Sequence, residues 1–172
     1  MMDKIDLHQG MTLSQVFYTE WKRYQDQIKQ AIAPLTADQL RLRAAPTLRP
    51  VGENVAHIIA TRVGWFNNYL QENDPQVAPL RDWDDPDLPQ PERSAAELAA
   101  GMDASWQFMQ ERFDLWTPAD LARTFPHDDP EWRDTHVTSR SWVVWHVLEH
   151  DLHHGGEISL TLGIHGLPAP QL

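Results

Sequence analysis

Four histidines fall within nine residues, His146, His150, His153 and His154, in a stretch from Ser141 to Gly166 that reads as one helix. Ser139 or Ser141 can cap its start, and Gly163 or Gly166, followed by Pro168, can end it. At 100° per residue, Val143, His146, Val147, His150, His154, Glu157, Ile158 and Thr161 share a face. Apolar residues bracket the imidazoles there, so the histidines point where a core should form. His150 and His154 lie one turn apart, about 6 Å along the axis. Two imidazoles at that spacing can reach one metal ion from a single helix. The alternative is a pair of hydrogen-bonded core histidines. A metal would need a third ligand from another helix, and His57 is the only histidine inside a second long apolar-periodic stretch.

The rest of the chain reads as three more helices joined by long connections. The first runs over about 12–33, with Leu13, Val16, Phe17, Tyr24, Ile28 and Ala31 as its stripe and Trp21 and Ile32 beside it. Thr36 to Gln39 has capping-box spacing and starts a short turn. The second helix runs from about Val51 to Leu70, with Asn54, His57, Ile58, Thr61 and Trp65 on one face. Residues 73–93 carry prolines and acids and read as a long loop, with Trp83 tucked against the bundle and the acids at Asp82, Asp84 and Asp85 solvated. Ser94 to Glu97 is another capping box, opening a third helix over about 95–116. Residues 125–138 read as irregular, with His127 and His136 solvated. The fold class is therefore all-α, a four-helix bundle with long connecting loops, forming a single domain over 1–172. Gly155 and Gly156 cost the fourth helix roughly 1 kcal/mol each against alanine, which predicts close approach of another helix. Its back face, Trp145, Leu148, Leu152 and Ser159, predicts burial on both sides.

Charge and composition exclude several classes. The net charge of −11 disfavours nucleic acid and anionic membranes. No run of 18 apolar residues is present, and the first residues lack the basic-then-apolar pattern of a signal peptide, so a cytoplasmic location is expected. Without cysteine there is no disulfide, thiolate ligand or cysteine nucleophile. Thiol chemistry would need a substrate that brings the sulfur.

A rival motif overlaps the helix: His146, Glu149 and His150 match the H-x-x-E-H pattern of inverted zinc peptidases. Against it, Glu149 points about 100° away from His150, and few residues follow to supply another ligand. Asn54 and Thr61 could orient His57 by hydrogen bonds. His146 reads as a core residue or a pocket histidine, and His153 as a surface or interface residue. Trp65 reads as core. Arg112 could bind an anion in the pocket or pair with a nearby carboxylate.

Three stretches together resemble the DinB-like superfamily: Ala33 to Leu40, Asn54 to Ile59, and His150 to Ile158. The resemblance implies a divalent metal, zinc or nickel, held by His57, His150 and His154. It implies a small-molecule substrate, with a low-molecular-weight thiol as one candidate, and S-transfer in stress response or detoxification. A metal-dependent hydrolase, or a non-catalytic bundle with a structural metal or a partner-binding role, would fit the same ligands. The superfamily's pattern ends H-H-R-G-Q. Here His153, His154, Gly155, Gly156 and Glu157 stand in its place, so glycine replaces the arginine and Glu157 becomes a candidate fourth ligand or hydrogen-bond acceptor. The resemblance and the apolar back face of the fourth helix together predict a homodimer.

Overall fold

The structure, a computed structural model, describes residues 10–127, 129–135 and 137–170. His136 and residues 1–9 lie outside the described residues. Four long helices make the bundle: α1 (Leu13–Ile32), α3 (Val51–Val63), α4 (Ala95–Leu115) and α7 (Arg140–Ile164). Short helices α2 (Ala37–Leu40), α5 (Pro118–Leu121) and α6 (Pro130–Thr135) sit in the connections. So does an antiparallel pair of two-residue strands, β1 (Thr124–Phe125) and β2 (Thr138–Ser139). The starts are set as the sequence predicts. Thr36 and Ser94 close capping boxes, as do Thr12 and Thr117, and Ser139 accepts from the Trp142 amide to cap α7. Gly166, at φ +69°, follows the C-terminal end of α7.

Three expectations need correction. The second helix is not α-helical to Leu70; after Val63 it widens into a π-helical segment, Gly64–Tyr69. That segment keeps Phe66 and Leu70 in the core and leaves Trp65 and Tyr69 half-buried at the rim. The loop over 73–93 contains a 3₁₀ helix, Ala78–Asp84, packed against α3. In α1, Trp21 and Ile32 are core rather than flank, while Leu13 is 86 % exposed because the helix begins beyond the packed part of the bundle.

The core forms two apolar clusters with a polar layer between them. One gathers Ile28, Ile32, Val55, Ile58, Ile59, Leu98, Met102, Ile158 and Leu162, and the other Trp21, Val63, Phe66, Trp106, Met109, Val143 and Val147. Where they meet, each long helix contributes a buried polar residue: Gln25 from α1, Arg62 from α3, Ser105 from α4 and Asp151 from α7. Arg62 Nη2 donates to Asp151 Oδ2 at 2.7 Å and its Nε to both carboxylate oxygens. Arg62 Nη1 reaches Gln25 and Ser105, and Trp21 Nε1 donates to Asp151 at 2.8 Å. Sequence periodicity did not single out Arg62 or Asp151. This network fixes the axial register of α3 against α7, since a one-turn slip would leave a buried charge unpaired.

Two glycines make room for close packing. A Cβ on Gly101 would stand 2.7 Å from Trp83, so the glycine is the notch in α4 that seats that indole, and the Arg93 guanidinium covers Trp83 4.5 Å from the ring centre. Trp83 is thus tucked in, and it anchors the 3₁₀ segment. A Cβ on Gly155 would meet the Tyr24 hydroxyl at 2.2 Å, which is the close helix approach expected, supplied by α1 of the same chain. Gly156 has nothing within 4 Å of that position. The two neighbours should therefore respond oppositely to alanine. Gly156→Ala should stabilise by up to about 1 kcal/mol through helix propensity. Gly155→Ala should instead destabilise, because overpacking costs about 1–3 kcal/mol. Denaturant unfolding of both variants checks the sign.

The back face of α7 is only partly covered. Leu148 is buried, but Trp145 is 54 % and Leu152 46 % exposed, so the expected burial on both sides does not occur within one chain.

Candidate metal centre

Packing of α3 against α7 brings His57, His150 and His154 together. One ring nitrogen from each lies within 4.8 Å of the others. Ring centres are 4.6 Å apart for His57 with either partner and 4.4 Å for His150 with His154. His57 Nε2 and His150 Nε2 face each other at 2.9 Å.

Two of the three outer nitrogens are held by carboxylates, while His150 Nδ1 is buried without a partner. Asp84 Oδ2 lies 2.5 Å from His57 Nδ1, and Glu157 Oε2 lies 2.8 Å from His154 Nδ1. A carboxylate on Nδ1 places the proton there and leaves the Nε2 lone pair facing inward. Asp84 is steadied in turn by Arg49 Nη1 at 3.1 Å. Sequence reading missed Asp84, assigning its acidic run to solvent; only the lone Trp83 hinted that this segment packs down. Glu157 also lies 3.5 Å from His153 Nε2 through its other oxygen, and His153, His154 and Glu157 form a second group whose ligand atoms are in mutual reach.

The remaining candidates fall elsewhere. Thr61 Oγ1 contacts His150 Nε2 at 3.3 Å, not His57. Asn54 is buried without a hydrogen bond to His57, and its Oδ1 has no partner. His146 stacks on Trp142, ring centres 4.8 Å apart, and lies edge-on to Trp65. Glu149 is largely exposed and lies 3.8 Å from His146, but among the described residues His146, Glu149 and His150 do not form a group of ligand atoms in mutual reach. His153 is exposed, as expected. His127, expected in solvent, is half-buried among Trp65, Tyr69 and Trp132. Arg112 pairs with Glu72 at 3.1 Å and stacks on Phe108, which settles it as a local ion pair. Trp65 is half-buried, packing against the second core cluster and also lining a pocket.

That pocket opens beside the histidines. It has about 490 Å³ of space and is lined by His57, Thr61, Trp65, Tyr69, Arg81 and Asp84, among others.

The imidazoles suit a metal. Tetrahedral zinc with Zn–N near 2.0–2.1 Å needs ligand nitrogens about 3.4 Å apart, within small ring rotations of the observed arrangement. Carboxylates on the outer nitrogens are the usual supports of metal-binding imidazoles. Burial, reinforced by the neighbouring His154, His57, His146 and Arg62, pushes His150 down to about 2, and burial lowers His57 despite the opposing Asp84. Both are thereby held neutral, the form a metal requires. In metal-free protein this carries a pH signature. The unfolded chain takes up a proton on His150 near pH 6.5, which the folded state refuses until about 2. Stability should be full above pH 6.5 and fall as the pH drops below it. Thermal unfolding of chelator-treated protein between pH 7.5 and 5 should show the decline, and His150→Gln should reduce it, leaving the smaller contribution of His57 and His146, whose pKa values burial also lowers.

An all-α bundle with a histidine cluster between two of its long helices is the class these features define. The sequence profile of the DinB superfamily matches residues 20–158, and the chain belongs to that superfamily. A crystal structure of a DinB-like protein from Bacillus cereus is similar, with 19% identity and a TM-score of 0.65, covering 92% of this chain and 96% of that one. A crystal structure of a conserved protein from Enterococcus faecalis gives 15% identity and a TM-score of 0.66, covering 90% and 99%. No curated protein sequence matches the chain at a significant level. Among the described residues, no helix is long and apolar enough to cross a membrane.

Proposed function

We propose that the protein is a metal-dependent enzyme acting on a small molecule, with His57, His150 and His154 as the ligands of zinc or nickel. The observation that carries this reading is the convergence of three carboxylate-supported or buried neutral imidazoles beside an open pocket. A three-histidine set leaves coordination positions free. Such a metal supplies Lewis acidity, lowering the pKa of a bound water or thiol. The chain's own residues then have defined work. Asp84 and Glu157 hold two ligands in the required tautomer, Thr61 contacts His150, and Trp65 and Tyr69 wall the pocket. The group of ligand atoms in mutual reach holds His57, His150 and His154 without Glu157, which supports an open site over a closed structural one. The thiol reading, S-transfer from a low-molecular-weight thiol to an electrophile, accords with a chain that has no sulfhydryl of its own.

The exposed Trp145, Leu152 and Leu160 on α7 support a further proposal, that two copies pair through this face. The test of the enzymatic reading is metal analysis of protein purified without a histidine tag, then a screen of thiols against model electrophiles. Thiol consumption that stops on chelation and returns with zinc or nickel supports it. A fully loaded protein inert toward every thiol and hydrolysable ester tried overturns it.

A further inference from the structure

We infer that the pocket beside the histidines takes a small molecule carrying an anionic group, such as a carboxylate, and that Arg81 is the residue that binds it. This deepens the proposed function and rests on it only for the end of the ligand near the histidines.

The chain has 25 acidic residues against 14 basic ones, so an arginine in it seldom lacks a partner. Arg41, Arg49, Arg62, Arg112 and Arg140 all form ion pairs with carboxylates. Arg93 and Arg123 lie over aromatic rings. Among the described residues, Arg81 alone of the arginines lining this pocket side has neither kind of partner, although Asp82, Asp84 and Asp85 follow it directly in sequence. Asp84, the other charged residue of the pocket wall, is already engaged by His57 Nδ1 and Arg49 and does not neutralise it.

Arg81 lies on the 3₁₀ segment that Trp83 anchors in the Gly101 notch, so its backbone is fixed against the bundle. Its side chain crosses the start of the π-helical segment, where Gly64 leaves space, since a Cβ there would stand 3.1 Å from Arg81 Cδ and 3.2 Å from Nε. A stem laid flat on the helix presents the guanidinium to the cavity with part of its conformational freedom already lost, and the planar fork suits a carboxylate or phosphate-like anion. Gly64 lies seven residues beyond His57, about 10 Å along the helix axis. Trp65 and Tyr69, ring centres 4.9 Å apart, supply the apolar wall of the same pocket. The ligand class that matches is an anion joined by a short apolar segment to the reacting group. The Glu111, Glu72 and Asp74 carboxylates around Arg112 show why that arginine, the one prominent in the sequence, does not serve.

The test uses two probes of equal length, 6-mercaptohexanoate and neutral 6-mercaptohexanol, on full-length protein with zinc and after chelation. The readouts are dissociation constants and the ¹⁵N signal of the Arg81 Nε–H. The carboxylate should bind at least about tenfold tighter than the alcohol, as expected of a charge-assisted hydrogen bond. It should move the Arg81 signal where the alcohol does not, and Arg81→Gln should abolish the preference while zinc stoichiometry is unchanged. Equal affinity for the two probes, or a preference that survives in Arg81→Gln, overturns the assignment. If the Arg81-dependent preference holds with and without zinc but zinc adds no affinity for either thiol, the anion subsite stands and the metal reading falls. If zinc tightens both thiols while the carboxylate shows no Arg81-dependent advantage over the alcohol, the metal reading stands and the anion subsite falls.

Discussion

Asp151→Ala should destabilise the fold by about 3–5 kcal/mol, the cost of removing one partner from a buried ion pair. Both Asp151 and Arg62 are fully buried, so the guanidinium left behind has no route to water. Gln25 and Ser105 offer it only neutral acceptors at 3.2 and 3.4 Å. Trp21 Nε1 would lose its acceptor as well. Replacing both charges together, Arg62→Met with Asp151→Leu, should recover most of the loss, since apolar replacement of a whole buried pair is often neutral. A deficit of about 1–3 kcal/mol should persist from the orphaned Trp21 donor. Equilibrium denaturation of the two variants measures this. If Asp151→Ala loses less than about 1 kcal/mol, the pair is not the register lock described above.

His150→Ala should have the largest effect on metal content. Its Nε2 faces that of His57 across 2.9 Å, and its ring lies between α3 and the next turn of α7, so its loss leaves two imidazoles from different helices. Affinity should fall by more than about 100-fold, beyond the 10–100-fold typical when a supporting hydrogen bond alone is removed. His146→Ala is the control, because that ring stacks on Trp142 outside the cluster. Competition titration with a chromogenic chelator compares them. Full zinc affinity in His150→Ala, or an equal loss in His146→Ala, would show that the ligands are misassigned.

The fold was legible because long amphipathic segments with capping boxes announce helices locally. Thr12, Thr36, Ser94 and Thr117 each accept from the residue three positions on, a signal contained within four residues. The cluster was legible for the same reason: His150 and His154 share a face by periodicity, and His57 lies on the other histidine-bearing long helix. What was not legible depends on residues far apart in sequence. Asp84 reaches His57 only because Trp83 finds a notch at Gly101, a pairing no helical period encodes. Arg62 and Asp151 look like ordinary polar positions until four helices bury them together. Asn54 and Thr61 were placed near His57 by helix spacing alone, which fixes a face but not which atom a side chain meets. Arg81 sits in a proline-rich acidic run that reads as solvated. The π-helical widening after Val63 likewise has no local signature in Gly64–Tyr69 that separates it from an α turn.

The most direct measurement is X-ray absorption at the zinc edge on tag-free protein, before and after addition of a small thiol. The expected spectrum is three imidazoles with nitrogen at about 2.0–2.1 Å plus one further light atom, the latter replaced by sulfur near 2.3 Å when thiol is added. Zinc absent after supplementation, or a shell with fewer than three imidazoles that thiol leaves unchanged, would contradict it.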